Sequence, residues 1–212
     1  MSLAEPPDKP ILAVDVDGVI SLFGFEGPPE EAPCEFQLID GMAHCISLKV
    51  GERLRRLIPH YELIWATGWE DRANDYLLHL LGLPELPVLR FGRSARFGSA
   101  HWKLTPMGEY AVGRRLAWID DSLDESCHEW ARERSEPTLL VPTESHIGLE
   151  DAHVDTLIGW ADRSGADVAG ESEDERVEAI SLRMAGLEDD DGAGRRVGRA
   201  RALRSRFRRR LD

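Results

Sequence analysis

Residues 11–18 read Ile-Leu-Ala-Val-Asp-Val-Asp-Gly: a short apolar run cut off by two acids and a glycine. Such a run, partly β-branched and without polar alternation, predicts a strand buried on both faces, as in a parallel sheet. The same grammar recurs at YELIWAT (61–67), PVLRF (87–91), RLAWIDD (115–121) and TLLVP (138–142). Helical stretches fall between these runs. Residues 45–58 place Ile46, Val50, Leu54, Leu57 and Ile58 on one stripe, and Pro59 follows. Glu70 to Leu81 is closed by Gly82 and Pro84. Ser122 with Glu125 forms a capping-box pattern opening a helix through about Arg134, and residues 149–163 turn Val154, Leu157, Ile158 and Ala161 inward. Strands alternating with helices predict an α/β fold, a three-layer doubly wound parallel sheet of about five strands. Gly18 to about Ala43, rich in Gly and Pro, reads as a loop or a small hairpin, and 92–105 as an irregular connection.

This pattern fills residues 1–168, the expected domain. Residues 169–212 differ: an acidic stretch ending Glu188-Asp189-Asp190-Asp191 precedes nine arginines between 195 and 210. Such charge blocks predict a disordered or loosely helical tail. The net charge of −13 argues against nonspecific nucleic-acid binding by the whole surface. The polar, Pro-rich start MSLAEPPDKP has no signal-peptide pattern, and no apolar run suits a membrane span, so a cytoplasmic protein without membrane contact is expected. Cys34, Cys45 and Cys127 are odd in number and widely spaced, without a CxxC pair, and are expected to be reduced. Lysine occurs only at positions 9, 49 and 103. In so arginine-rich a chain, a lysine marks a place where the larger guanidinium would not serve.

In an open α/β sheet the ligand crevice lies beyond the carboxyl ends of the strands. The first strand ends in Asp15-Val16-Asp17-Gly18, the second in Ala66-Thr67-Gly68 and the fourth in Asp120-Asp121, while Lys103 follows the third. A parallel sheet would gather these residues. Four carboxylates cannot share a crevice with a single lysine unless another cation joins them. A hard, all-oxygen site favours Mg²⁺, which takes phosphate oxygens among its ligands. A phosphorylated substrate is therefore expected. An EF-hand is excluded because Val19 and Ile20 stand where such a loop needs an oxygen ligand and a glycine. The blander readings are turn residues for Asp15 and Asp17, and helix-dipole acids for Asp120 and Asp121.

Taken together, DVDGVI, LIWATG, Lys103 and AWIDD resemble, in order, the four motifs of the haloacid dehalogenase (HAD) superfamily of hydrolases and phosphatases. The resemblance implies a HAD-like Rossmannoid sheet in the order 5-4-1-2-3, counting strands along the chain. It implies Asp15 as nucleophile, forming an aspartyl-phosphate, and Asp17 as general acid and base. It implies phosphate binding by Thr67, Gly68 and Lys103, and Mg²⁺ held by Asp15, Asp17, Asp120 and Asp121. The intervals between motifs leave no room for a folded cap, which points to an open site and a large substrate, unless the Gly24–Pro33 loop or another chain closes over it.

A finer resemblance, carried by HWKLTP (101–106), LAWIDD (116–121) and LLVPTESHIGLEDAHVDTLIGWAD (139–162), is to capless HAD domains of RNA-repair proteins. It implies RNA or DNA ends as substrates, with the arginine-rich tail gripping phosphates or, alternatively, simply solvated. Trp69 and Trp102, flanking Thr67 and Lys103, are candidate base stackers, and His101 is read as an exposed loop residue. The rival readings are a non-catalytic HAD-fold module that binds phosphorylated or nucleic-acid partners, and a different reaction on the same fold. Asp17 disfavours dehalogenation, which needs no such acid.

Overall fold

A computed structural model describes residues 9–26, 34–91 and 99–163. The 169–212 tail, residues 27–33 of the candidate closing loop and residues 92–98 lie outside the described residues. The central sheet has four parallel strands: β1 (Ile11–Val14), β5 (Glu62–Trp65), β6 (Leu116–Asp120) and β7 (Thr138–Pro142). They lie side by side in the order β5-β1-β6-β7. PVLRF, expected as a strand, contributes one isolated bridge, Val88 to Trp65. Its first residue, Pro87, lacks the amide donor that a full ladder would use.

β1 explains the three layers. Leu12 and Val14 join a core built with α1 (Lys49–Leu57), α2 (Asp71–Leu81) and α5 (Asp151–Ala161). Ile11 and Ala13 face the other way, into a core with α3 (Leu104–Tyr110) and α4 (Glu125–Glu133). All four are fully buried, which is why the strand reads as an uninterrupted apolar run. α1 crosses α2 closely at Gly51, where a β-carbon would stand 2.4 Å from the Leu81 carbonyl.

The segment after Asp17 is more ordered than the sequence suggested. β2 (Ser21–Leu22), β3 (Glu35–Ile39) and β4 (Met42–Ile46) form a small antiparallel sheet in the order β2-β4-β3. Cys45 and Ile46, expected as the first residues of a helix, instead pair with Leu22 and Ser21, and the helix begins at Lys49. The hairpin register brings Cys34 to a Cα separation of 5.4 Å from Cys45, and the two form a disulfide. This overturns the expectation of three reduced cysteines; only Cys127 is free, and it is buried. Spacing alone did not suggest the pair because it depends on the hairpin.

Two further corrections concern helices. The described end of the 92–105 stretch, expected as an irregular connection, holds a 3₁₀ turn (Ala100–Lys103) that runs into α3, with Pro106 in the first turn of α3 where no intrahelical donor is needed. The cap of α4 is Asp124, whose side chain accepts from the Cys127 amide, and not Ser122. α5 begins at Asp151 behind a capping box formed by Glu150 and His153. Among the described residues, no helix is long and apolar enough to cross a membrane.

Candidate active site

β1, β5 and β6 are parallel, so their carboxyl ends open on one edge of the sheet. Asp15, Thr67 and Asp120 lie at these three ends. Lys103, at the end of the 3₁₀ turn, reaches in from the side, and its Nζ stands 2.9 Å from Asp15 Oδ2 and 2.6 Å from Asp120 Oδ2. Lys103 is 2% exposed and Asp120 wholly buried. Lys103 is the cation of a buried triad, and its loss would leave two carboxylates facing each other without a counter-charge. The compact ammonium fits between two carboxylates in a way a planar guanidinium would not, which answers why lysine stands here.

The carboxylates are held by further donors. Asp15 Oδ1 accepts from the Val16 amide at 2.8 Å. Asp120 Oδ1 accepts from the Ser122 amide at 2.9 Å, and Oδ2 also takes the Trp118 indole N–H at 3.2 Å. Asp121 is partly exposed and accepts one hydroxyl on each oxygen: Ser122 at 3.0 Å and Ser145 at 2.6 Å. Gly18, at φ +72°, lies so close that a β-carbon would fall 2.2 Å from Asp121 Cγ. Only glycine both adopts this turn and admits the Asp121 carboxylate.

Ligand oxygens of Asp15, Asp120 and Asp121 all lie within 4.8 Å of one another. Three convergent carboxylates with one lysine form an oxygen-only donor set with excess negative charge, which fits a hard divalent cation such as Mg²⁺. The Asp17 carboxylate is not part of this group. It turns aside, and its Oδ2 accepts the Trp69 indole N–H at 3.0 Å.

Electrostatics follow from the geometry. Burial pushes the Asp15 carboxyl up to about 7; the Lys103 ammonium opposes this and the Asp120 carboxylate adds to it. Loss of hydration also raises the Asp17 carboxyl, against the stabilising Trp69 N–H. Burial disfavours the Lys103 ammonium, but Asp15 and Asp120 outweigh that, and its pKa is raised.

Thr67 is buried, and its Oγ1 accepts from the Trp69 amide at 3.3 Å. Its hydroxyl proton therefore points elsewhere and can serve an incoming oxyanion. Gly68, half-buried, follows at the same strand end. His101 is exposed, as expected. The two tryptophans at the mouth differ in exposure. Trp69 is only 6% exposed and bonds Asp17, so it presents no open face for a base. Trp102 is half-buried, edge-on to Phe91, with Lys103 Nζ 5.2 Å from its ring centre.

Trp118, Ser145 and Thr143, whose hydroxyl donates to the Gly18 carbonyl at 3.0 Å, were not singled out from the sequence. The rule of two could have found Trp118, since residues 118 and 120 of a strand share a face. Thr143 and Ser145 follow the end of β7, which opens on the same edge. No protein-family model matches the chain, and a comparison with curated proteins returns no match.

Proposed function

We infer that the protein is a Mg²⁺-dependent phosphomonoester hydrolase of the HAD type, acting through an aspartyl-phosphate on Asp15. The observation that carries this reading is the triad itself. Lys103 holds one oxygen of Asp15 beside Asp120, while Asp121 and Asp17 flank the same strand ends. A bound Mg²⁺ would neutralise charge between the anionic nucleophile and an anionic substrate. Asp15, Asp120 and Asp121 would hold it; Asp120 spends its oxygens on Lys103, Trp118 and Ser122, which leaves Asp121 the freer carboxylate.

In this reading Asp15 attacks phosphorus as the bond to the leaving oxygen breaks. Lys103 and the Thr67 hydroxyl bind phosphoryl oxygens, with Gly68 beside them. Asp17 gives its proton to the leaving oxygen, then takes one from the water that hydrolyses the aspartyl-phosphate. The raised Asp17 pKa suits a group that must hold a proton first and lose it later. A five-strand HAD order is part of the same reading, with the Val88 bridge standing for the edge strand. The short intervals between the motif residues favour an open site and large substrates such as phosphorylated RNA or DNA ends.

The test is hydrolysis of p-nitrophenyl phosphate and of a panel of phosphorylated metabolites and RNA ends, with and without Mg²⁺. Wild-type turnover should require the metal, and Asp15→Asn should lower kcat by about 10⁴-fold or more. Metal-independent turnover, or full activity in the variant, would refute the reading. Binding of phosphorylated ligands without turnover of any would favour the non-catalytic module.

A further inference from the structure

The position of Asp17 is not set by its own strand. Trp69 stands two residues beyond Thr67, and its backbone amide bonds the Thr67 hydroxyl while its indole N–H bonds Asp17 Oδ2. One residue thus joins the phosphate-binding strand end to the acid. The indole is itself pinned. The His44 ring meets it edge-on, with centroids 4.7 Å apart and planes at 68°, and the Arg72 guanidinium lies 5.5 Å from its ring centre. His44 is fixed in turn by a 3.0 Å hydrogen bond between Nδ1 and Ser21 Oγ, so the antiparallel pair of β2 and β4 braces the tryptophan.

We propose that Trp69 is the positioning residue for Asp17: its indole N–H engages Oδ2 and so leaves Oδ1 to carry the proton to the leaving group. The argument rests on the phosphatase reading and adds to it. An indole N–H can only donate. The carbonyl oxygen of a carboxylic acid is the better acceptor, so the bond from Trp69 keeps Oδ2 unprotonated and puts the acid proton on Oδ1. In the first step the ester P–O bond breaks and its electrons go to the leaving oxygen. The Oδ1–H bond breaks with it, its proton passing to that oxygen, while a bond forms from Asp15 to phosphorus. Asp17 is left as a carboxylate, and the indole N–H stabilises the new charge.

Trp69→Phe removes the indole N–H and leaves a smaller aromatic ring at the same buried position beside His44 and Arg72. A poor leaving group needs the proton and a good one does not. In the full-length protein, kcat/KM for β-glycerol phosphate, which reports only the steps up to departure of the leaving group, should fall by about 10–100-fold, a fraction of what general acid catalysis supplies, with kcat/KM for p-nitrophenyl phosphate nearly unaffected. Equal losses on both esters, or no loss on either, would overturn the proposal while leaving the phosphatase reading intact. A wild-type protein inert toward both esters would overturn that reading and this one with it. A second measurement needs neither turnover nor a folded Trp69 variant. Among the six indole N–H resonances of the ¹⁵N-labelled protein, one should move upfield in Asp17→Ala. If none moves, the contact is absent in solution and the proposal fails.

Discussion

Lys103 sits at the electrostatic centre of the site. It is a buried cation between two carboxylates, and its own raised pKa and the raised pKa of Asp15 come from one crowded site. Burial pushes the Asp15 carboxyl up to about 7, above the unfolded value, so below neutrality a cation bound at this site would have to displace a proton from it. The sign follows. Below about pH 7 each Mg²⁺ displaces close to one proton and affinity rises with pH; above it the release fades and affinity levels off. Calorimetric Mg²⁺ titration in buffers of different ionisation enthalpy measures this. Equal proton release at about pH 6 and about pH 8 would remove Asp15 from the ligand set.

At the scale of elements, the helix starts separate what was legible from what was not. The sequence pattern puts the cap of α4 at Ser122. The structure gives the cap to Asp124, which accepts from the Cys127 amide and the Ser126 hydroxyl, while Ser122 turns its hydroxyl to Asp121. Asp124→Ala should therefore cost about 1 kcal/mol and lower the melting temperature by a few degrees, with Mg²⁺ affinity retained. Ser122→Ala should do the reverse, weakening Mg²⁺ binding with little effect on melting. Denaturation and calorimetry on both variants decide the matter.

The reason generalises. Strands such as ILAV and LAWID were legible because burial on two faces leaves a composition signal, and so were the acids at their ends. A small hairpin was one of two readings for the segment after Gly18, but its place at 35–46 and its register were not legible, because the pairing of Phe36 with Cys45 and Leu38 with Ala43 falls at positions that are exposed or mixed in character. The disulfide and the His44 brace depend on that hairpin and were hidden with it. Asp15, Asp120 and Asp121 converge as their strand-end positions suggested, with Lys103 among them, and Thr67 ends a neighbouring strand on the same edge; the direction in which Asp17 turns is a side-chain fact that no spacing encodes.

On the scale of the whole molecule, every residue assigned to the site lies between Asp15 and Ser145, held by one sheet edge and the turn at Lys103. The arginine-rich region at 195–210 is remote in sequence from all of it. Deleting residues 169–212 should leave Mg²⁺-dependent turnover of p-nitrophenyl phosphate unchanged, and any loss should appear only with nucleic-acid substrates, as a shallower salt dependence. A collapse of small-ester turnover on truncation would show that the tail completes the site.

The central claim is that Asp15 carries the phosphoryl group between two half-reactions. The most direct measurement is acid quenching during turnover of p-nitrophenyl phosphate, followed by mass spectrometry of the peptide that contains Asp15. A phosphoryl adduct should appear there, accumulate in Asp17→Asn because water attack on the intermediate is slowed, and be absent from Asp15→Asn. Steady turnover with no adduct in either the wild type or Asp17→Asn, or an adduct on another residue, would contradict the account.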